Sequence, residues 1–187
     1  MKTTQFPGIV DVKRLKTTVS TQNLARRLAE KDAPAWTLVW ADRQSRGRGR
    51  LQRHWSSGGG GLYFSVILRP KLKPEKLAQL SLKCGRICAK ALRAVTKLNI
   101  RIKPPNDILA RATEGPAVYK KICGILIEAS GCVHAVDWVV IGIGVNVENH
   151  IPPSLPQAAS IRELSGRRIK REAILDALLQ ALRTSLK

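Results

Sequence analysis

Between Arg43 and Trp55 the chain reads RQSRGRGRLQRHW, which packs five arginines and two glycines into one stretch without a single acid. Glycine lets a backbone bend tightly and approach a ligand closely, and a guanidinium forks onto carboxylate or phosphate with two parallel hydrogen bonds. The alternation Gly47-Arg48-Gly49-Arg50 therefore suits a loop that wraps a small anion and later releases it. Unpaired arginines repel one another, so the loop is expected to order when an anion enters it. A solvated basic loop, or one that touches RNA, has the same composition, and this segment alone leaves those readings open.

Four further segments carry polar groups that could join it. Ser20-Thr21-Gln22 offers hydroxyls and an amide at the head of a helix, beside free N–H groups. Lys103-Pro104-Pro105-Asn106-Asp107 is a stiff turn that ends in a pair able to bind a metal. Lys120-Lys121-Ile122-Cys123-Gly124 takes a lysine into an apolar strand and follows it with a glycine that permits close approach. Gly142-Ile143-Gly144-Val145-Asn146 ends a strand in glycines and an amide. Each has a plain reading too: a helix cap, a turn, a lysine lying along apolar surface, and a bulge or tight packing.

The elements that must hold these groups follow from periodicity. Val10 to Leu15 alternates apolar with polar or charged residues, as in a half-buried strand. Ser20 or Thr21 caps a helix running to about Lys31, with Leu24, Ala25 and Leu28 inward. Trp36 to Ala41 is a short strand delivering the arginine loop, and Gly58 to Gly61 is a hinge into the strand LYFSVILR. Pro74 opens a long helix to about Lys97, with Leu77, Leu80, Cys84, Ile87, Ala91 and Val95 at core spacing. Ile100 to Lys103 is a strand halted by Pro104-Pro105. KICGILIEA and VDWVVIGIGVNV pair through a turn at Gly131, and an amphipathic helix from about Lys170 to Leu186 closes the chain. Early alternation of helix and strand, then adjacent strands, predicts an α/β (α+β) fold. It would be a mixed, largely antiparallel sheet with helices packed on one face. No GxGxxG turn and no P-loop lysine motif are present.

Composition bounds the rest. The 187 residues fit a single domain with a proper core. Cys84, Cys88, Cys123 and Cys132 include no CxxC pair and read as buried thiols, two in a helix and two in strands. With His54, His134 and His150 also lacking ligand spacing, no structural metal is expected. No apolar run reaches the length of a membrane span, and the N-terminus lacks the apolar core of a signal peptide, so a cytoplasmic location is expected. The net charge of +20 points to an acidic partner: a nucleotide, a nucleic acid or an acidic protein. Lys76, Lys83, Arg86, Lys90, Arg93 and Lys97 fall along one face of the long helix with no acid between Lys76 and Asn106. That stripe reads either as a solvated face or as a steering surface for an acidic protein.

Taken in order, GRGRLQRHW, KPPND, KKICGILIE and GIGVNV, preceded by Ser20-Thr21-Gln22, resemble the catalytic domain of biotin–protein ligases. The resemblance runs from about Val19 to Val147, and more weakly through SIREL and the last helix. It implies the class II synthetase-like fold and a two-step reaction. Biotin is activated by ATP to biotinyl-5'-AMP, and the biotin then passes to a lysine of a biotin carboxyl carrier domain. By the same resemblance Ser20, Thr21, Gln22 and Gln44 would hold the biotin ring, with Gly124 lining that site. Arg48, Gly49 and Arg50 would cover the carboxylate and phosphate, and Lys121 would contact the reacting carboxyl. Gly47, Arg48, Arg50, Trp55, Asn106 and Asn146 would serve the adenylate, and Asp107 would bind Mg2+. Arg48, Arg50, Lys121 and Asp107 are thus the catalytic candidates.

The sequence departs from the family pattern at Arg46, where a small residue is usual, at Gln52, where a glycine is usual, and at Pro104, where a tryptophan is usual. Residues 1–187 read as one catalytic domain, without the helix-turn-helix segment or the small C-terminal β-barrel found in relatives. No DNA operator is therefore expected, while the acceptor would be an acidic carrier domain and a homodimer is compatible with the family. A lipoate or octanoate transferase shares this fold and is the alternative among enzymes. A basic nucleic-acid-binding protein is the alternative outside them, although aromatics at 4% are sparse for a stacking platform.

Overall fold

The computed structural model describes residues 6–112, 118–132 and 134–186. Nine strands and four α-helices appear among them. They are β1 (Asp11–Thr18), α1 (Thr21–Ala29), β2 (Thr37–Gln44), β3 (Gly47–Arg48), β4 (His54–Trp55), β5 (Leu62–Leu68), α2 (Leu77–Thr96), β6 (Asn99–Lys103), β7 (Asp107–Arg111), β8 (Lys120–Gly131), β9 (Val136–Val145), α3 (Ile161–Ser165) and α4 (Arg171–Ser185). Seven strands form one sheet in the order β1-β2-β5-β9-β8-β7-β6, and β3 pairs with β4 apart from it. Only β1 and β2 run parallel; every other pairing is antiparallel. The expected mixed, largely antiparallel sheet is borne out.

Alternation along the strands sorts the side chains onto two faces. Leu38 and Trp40 of β2, Phe64 and Val66 of β5, and Val139, Ile141 and Ile143 of β9 join one core with Cys88 and Leu92 of α2 and Leu175, Leu178 and Leu182 of α4. Val39, Ile67 and Val140 belong to a second, smaller core with Ala25 and Ala29 of α1. The two long helices thus share a face, as expected, whereas α1 covers the other. Continuing that second face past α1, the next residues are Ser65 on β5, Gly142 and Gly144 on β9, and Gly124 and Leu126 on β8. They form the floor of a cavity.

Three local readings need correction. The strand before Pro104-Pro105 does stop at Lys103, but the turn closes an unforeseen hairpin in which Lys103 pairs with Asp107, and β7 then carries on to β8. Short, charged strands such as DILAR give too little apolar alternation to announce themselves. On α2 the buried positions are Cys84, Gly85, Cys88, Ala89, Ala91, Leu92 and Thr96, while Leu77, Leu80, Ile87 and Val95 are only partly covered. This helix packs against both α4 and the sheet, so its buried arc is wider than a single stripe and is rotated towards Cys88 and Leu92. Finally, Cys132 is exposed beyond the end of β8, although Cys84, Cys88 and Cys123 are buried thiols as expected. No helix among the described residues is long and apolar enough to cross a membrane.

Candidate active site

A cavity of about 470 Å³ opens on the α1 face of the sheet. That is an ordinary size for a small-molecule site. One end is neutral and hydrogen-bonding. Ser20 caps α1, accepting from Asn23 N at 3.4 Å, and leaves Thr21 and Gln22 facing inward at the start of the helix. Gln44 at the end of β2 receives Thr21 N at 2.8 Å and the Thr21 hydroxyl at 3.2 Å through Oε1. Its amide donates to the Ser57 hydroxyl at 2.8 Å. Ser65, fully buried on β5, sits 3.0 Å from Thr21 Oγ1 and 3.1 Å from Gln22 Oε1, while Gln22 donates to the Val140 carbonyl at 3.2 Å. A serine has one hydroxyl proton, so it serves one of those two acceptors at a time. This is a preformed wall of neutral donors and acceptors, already paired with one another and held in place for a polar ligand.

The opposite side is cationic. Arg48, Arg50, Arg53, Lys103 and Lys121 line it, and among the described residues Asp107 is the only carboxylate in the lining. Lys121 Nζ lies 2.7 Å from Asp107 Oδ1 and 5.1 Å from the ring centre of Trp55. Asn106 ties the hairpin to β8 by donating to the Ile125 carbonyl at 2.9 Å, and its Oδ1 receives Arg50 at 3.3 Å. Asn146 is nearly buried, with Nδ2 3.5 Å from the Lys121 carbonyl and Oδ1 accepting from Asn149 at 3.2 Å, so its amide braces the Lys121 backbone. Behind this wall the Cys123 thiol is pushed up to about 12, chiefly by burial, with nearby Lys121 lowering it and Asp107 raising it. It stays a neutral packing group.

Glycines set the shape. Gly124 and Gly144 are register partners on β8 and β9, and the Trp55 indole lies across them. A methyl group on Gly124 would come 2.8 Å from the ring, and one on Gly144 would come 2.5 Å from its Nε1. That Nε1 is buried against Gly144 without a hydrogen-bond partner.

Most residues singled out by motif meet here: Ser20, Thr21, Gln22, Gln44, Arg48, Gly49, Arg50, Trp55, Asn106, Asp107, Lys121, Gly124 and Asn146 all line the cavity. Gly47 does not. It stands behind the lining, where an added methyl would meet Ser57 Oγ and the Trp55 carbonyl at 2.4 Å. Its role is to let β3 and β4 close. Ser65 was missed as wall, and Gly142 and Gly144, singled out within a motif, were given no role as floor. Their signal was the strand alternation itself, which puts them on the same face as Val140. Among the described residues no cluster of three or more His, Cys, Asp or Glu side chains could hold a metal on its own. Asp107 alone matches what Mg2+ needs when it arrives on a polyphosphate, one or two protein carboxylates with phosphate oxygens supplying the rest.

Comparison with known proteins places this cavity among relatives. The family described as Biotin/lipoate A/B protein ligase matches residues 12–146. The bifunctional ligase/repressor BirA of Bacillus subtilis is 38% identical over 165 residues, covering 86% of this chain and 49% of that protein. The biotin–[acetyl-CoA-carboxylase] ligase of Paracoccus denitrificans is 32% identical over 160 residues, covering 79% of this chain and 60% of that one. The structure of biotin protein ligase from Aquifex aeolicus in complex with biotin and ATP superposes with a TM-score of 0.77 at 34% identity, covering 95% of this chain and 70% of that one. The chain spans about half the length of the BirA proteins it matches.

Proposed function

The chain belongs to the biotin/lipoate A/B protein ligase family, and from that premise we propose that it activates biotin with ATP and passes it to a lysine of a biotin carboxyl carrier domain. The observation that carries this reading is the division of one cavity into a neutral hydrogen-bonding end and a cationic end. Biotin has the same division, a ureido ring with donors and an acceptor at one end and a carboxylate at the other. Thr21, Gln22, Gln44 and Ser65 match the first, and Arg50 and Lys121 match the second. In the first step a biotin carboxylate oxygen bonds to the α-phosphorus of ATP and the bond to pyrophosphate breaks. Two anions must approach each other, and cations fixed beforehand lower that barrier without reorganising. In the second step a neutral carrier lysine attacks the mixed anhydride carbonyl, AMP leaves, and the amine sheds its proton. Mg2+ carried by the nucleotide would screen the phosphates, with Asp107 as its protein ligand.

A lipoyl or octanoyl substrate fits the same fold less well, because its apolar end would desolvate the Thr21–Gln44–Ser65 wall and return no hydrogen bonds. Sites built to bond polar groups reject analogues that lack them by large factors. The carrier is proposed to be acidic, since the chain carries +20, and a homodimer is proposed for the protein in solution, to be read by light scattering. Biotin-dependent exchange of labelled pyrophosphate into ATP is the deciding measurement. Exchange with biotin and none with octanoate or lipoate is the expected result; the reverse pattern overturns the reading.

A further inference from the structure

The segment that carries Lys121 ends in Glu128, a residue with no part in the steps above. Strand alternation puts it on the cavity side of β8, two residues beyond Leu126, at the rim of the cavity. Its carboxylate takes both arms of the Arg48 fork: Nη2 donates to Oε1 at 2.8 Å and Nη1 to Oε2 at 3.1 Å. Nη1 also donates to Asn23 Oδ1 on α1 at 2.8 Å. One guanidinium therefore ties β3 to β8, 80 positions along the chain, and to α1, 25 positions back. Arg50, two residues on, is exposed and among the described residues meets only the neutral Asn106 oxygen, at 3.3 Å. The two arginines of the Gly-Arg-Gly-Arg run are in different situations: one is already paired with protein oxygens, the other is free to pair.

We propose that Glu128, with Asn23, is a positioning residue that anchors the arginine loop over the cavity through Arg48, leaving Arg50 and Lys121 as the cations that meet the substrate anion. Charge supports this division. A loop with five arginines cannot lie on a cavity already holding Lys121 and Lys103 unless an acid receives part of it. Asp107 is engaged by Lys121, which leaves Glu128 to do so. A lone ion pair at a surface contributes little. This pair is bidentate, about two-thirds or more buried on both sides, and shares a third acceptor, the arrangement in which such contacts are strongest. A substrate that needed Arg48 as its own partner would have to displace a carboxylate held by two contacts and an amide oxygen held by a third, whereas Lys121 gives up a single contact to Asp107. Only the identity of what the loop covers rests on the proposed function.

The test uses the whole chain and two independent readouts. Hydrogen exchange of the amides of residues 47–55, measured without substrate, reports the anchor. Biotin-dependent pyrophosphate exchange reports its use. Glu128→Ala, and the isosteric Glu128→Gln should the alanine variant fold poorly, are expected to speed loop exchange about tenfold, the loss of a charge-assisted contact. The same variants should raise half-saturation by biotin by a similar factor, with a smaller effect on the rate at saturating biotin. Arg48→Met should match them, and the Arg48→Met/Glu128→Ala double variant should be no worse than either single one. Arg50→Met should instead lower the saturated rate and leave loop exchange unchanged. The swap Arg48→Glu with Glu128→Arg should restore loop protection. Unchanged loop exchange in both Glu128 variants, or additive losses in the double variant, overturns the anchor. A parent with no pyrophosphate exchange overturns the functional reading instead, and the amide data still decide the anchor.

Discussion

At the scale of single residues, Lys121 separates catalysis from stability. Its ammonium is held 2.7 Å from Asp107 in a pair about as buried as that of Arg48 and Glu128, but through one contact rather than a shared fork, so it stabilises the fold less. In the proposed reaction it faces charge that develops on the carboxylate and α-phosphate. Lys121→Ala should therefore lower biotin-dependent pyrophosphate exchange by roughly 10²-fold or more and leave the thermal midpoint almost unchanged; near-normal exchange would remove it from the mechanism. Its place in the cavity was legible through the ordered motifs that resemble the family, since a lysine at a strand entrance by itself reads as one lying along apolar surface. Ser65 was not legible, since one serine in LYFSVILR looks like any buried hydroxyl until Thr21 and Gln22 are seen beside it. Glu128 was visible as the last letter of a motif, but its partner lies 80 residues away, a distance that no local pattern spans.

At the scale of elements, the arginine loop carries a cost that its sequence hints at. Leu51 and Gln52 stand at φ of 52° and 57°, in the left-handed region, where a side chain costs about 1 kcal/mol or more and a glycine nothing. The family pattern has glycine at the second of these positions. Gln52→Gly should raise stability by about 1 kcal/mol, seen as a higher thermal midpoint. The long elements were readable because their periodicity is strong: α2, α4, β5, β8 and β9 lie within a few residues of their expected limits. The hairpin strand β7 was not, being five residues of mixed character. Helix α2 adds a pH dependence. Burial pushes the Cys84 thiol up to about 12, and Cys88 well above its ordinary range, with Cys123 beside it also up to about 12. In the unfolded chain these thiols ionise near 9.0, so above that pH unfolding releases protons. Stability is full below pH 9 and is lost as pH rises towards 12, by about 1 kcal/mol per buried thiol for each unit. Urea midpoints at pH 8 and pH 10.5 check this, and Cys123→Ala should reduce the difference. An unchanged midpoint would mean the thiols are not shielded as described.

At the scale of the whole molecule, the sheet separates the cavity from the basic stripe along α2. The six cations from Lys76 to Lys97 are all exposed on α2, as expected, but α2 lies on the opposite side of the sheet from the cavity. An acidic carrier docked on that stripe would sit across the sheet from the cavity, and steering from there fades beyond about 10 Å at 0.1 M salt. Changing Lys83, Arg86 and Lys90 to Gln should therefore alter carrier transfer by less than about twofold at 0.1 M salt, and a larger loss in stopped-flow transfer assays would return the stripe to the carrier. The floor of the cavity has a different consequence. Where Gly142, Gly144 and Gly124 meet, the bare peptide planes let the Gln22 amide and the Trp55 indole lie directly on the sheet, and a single methyl at any of the three would strike one of those side chains. A surface with nothing left to remove can be raised by mutation but never lowered. Libraries varied at these three positions can only shrink the range of acceptable molecules, and an analogue bulkier than the natural one must be admitted through Gln22 or Trp55.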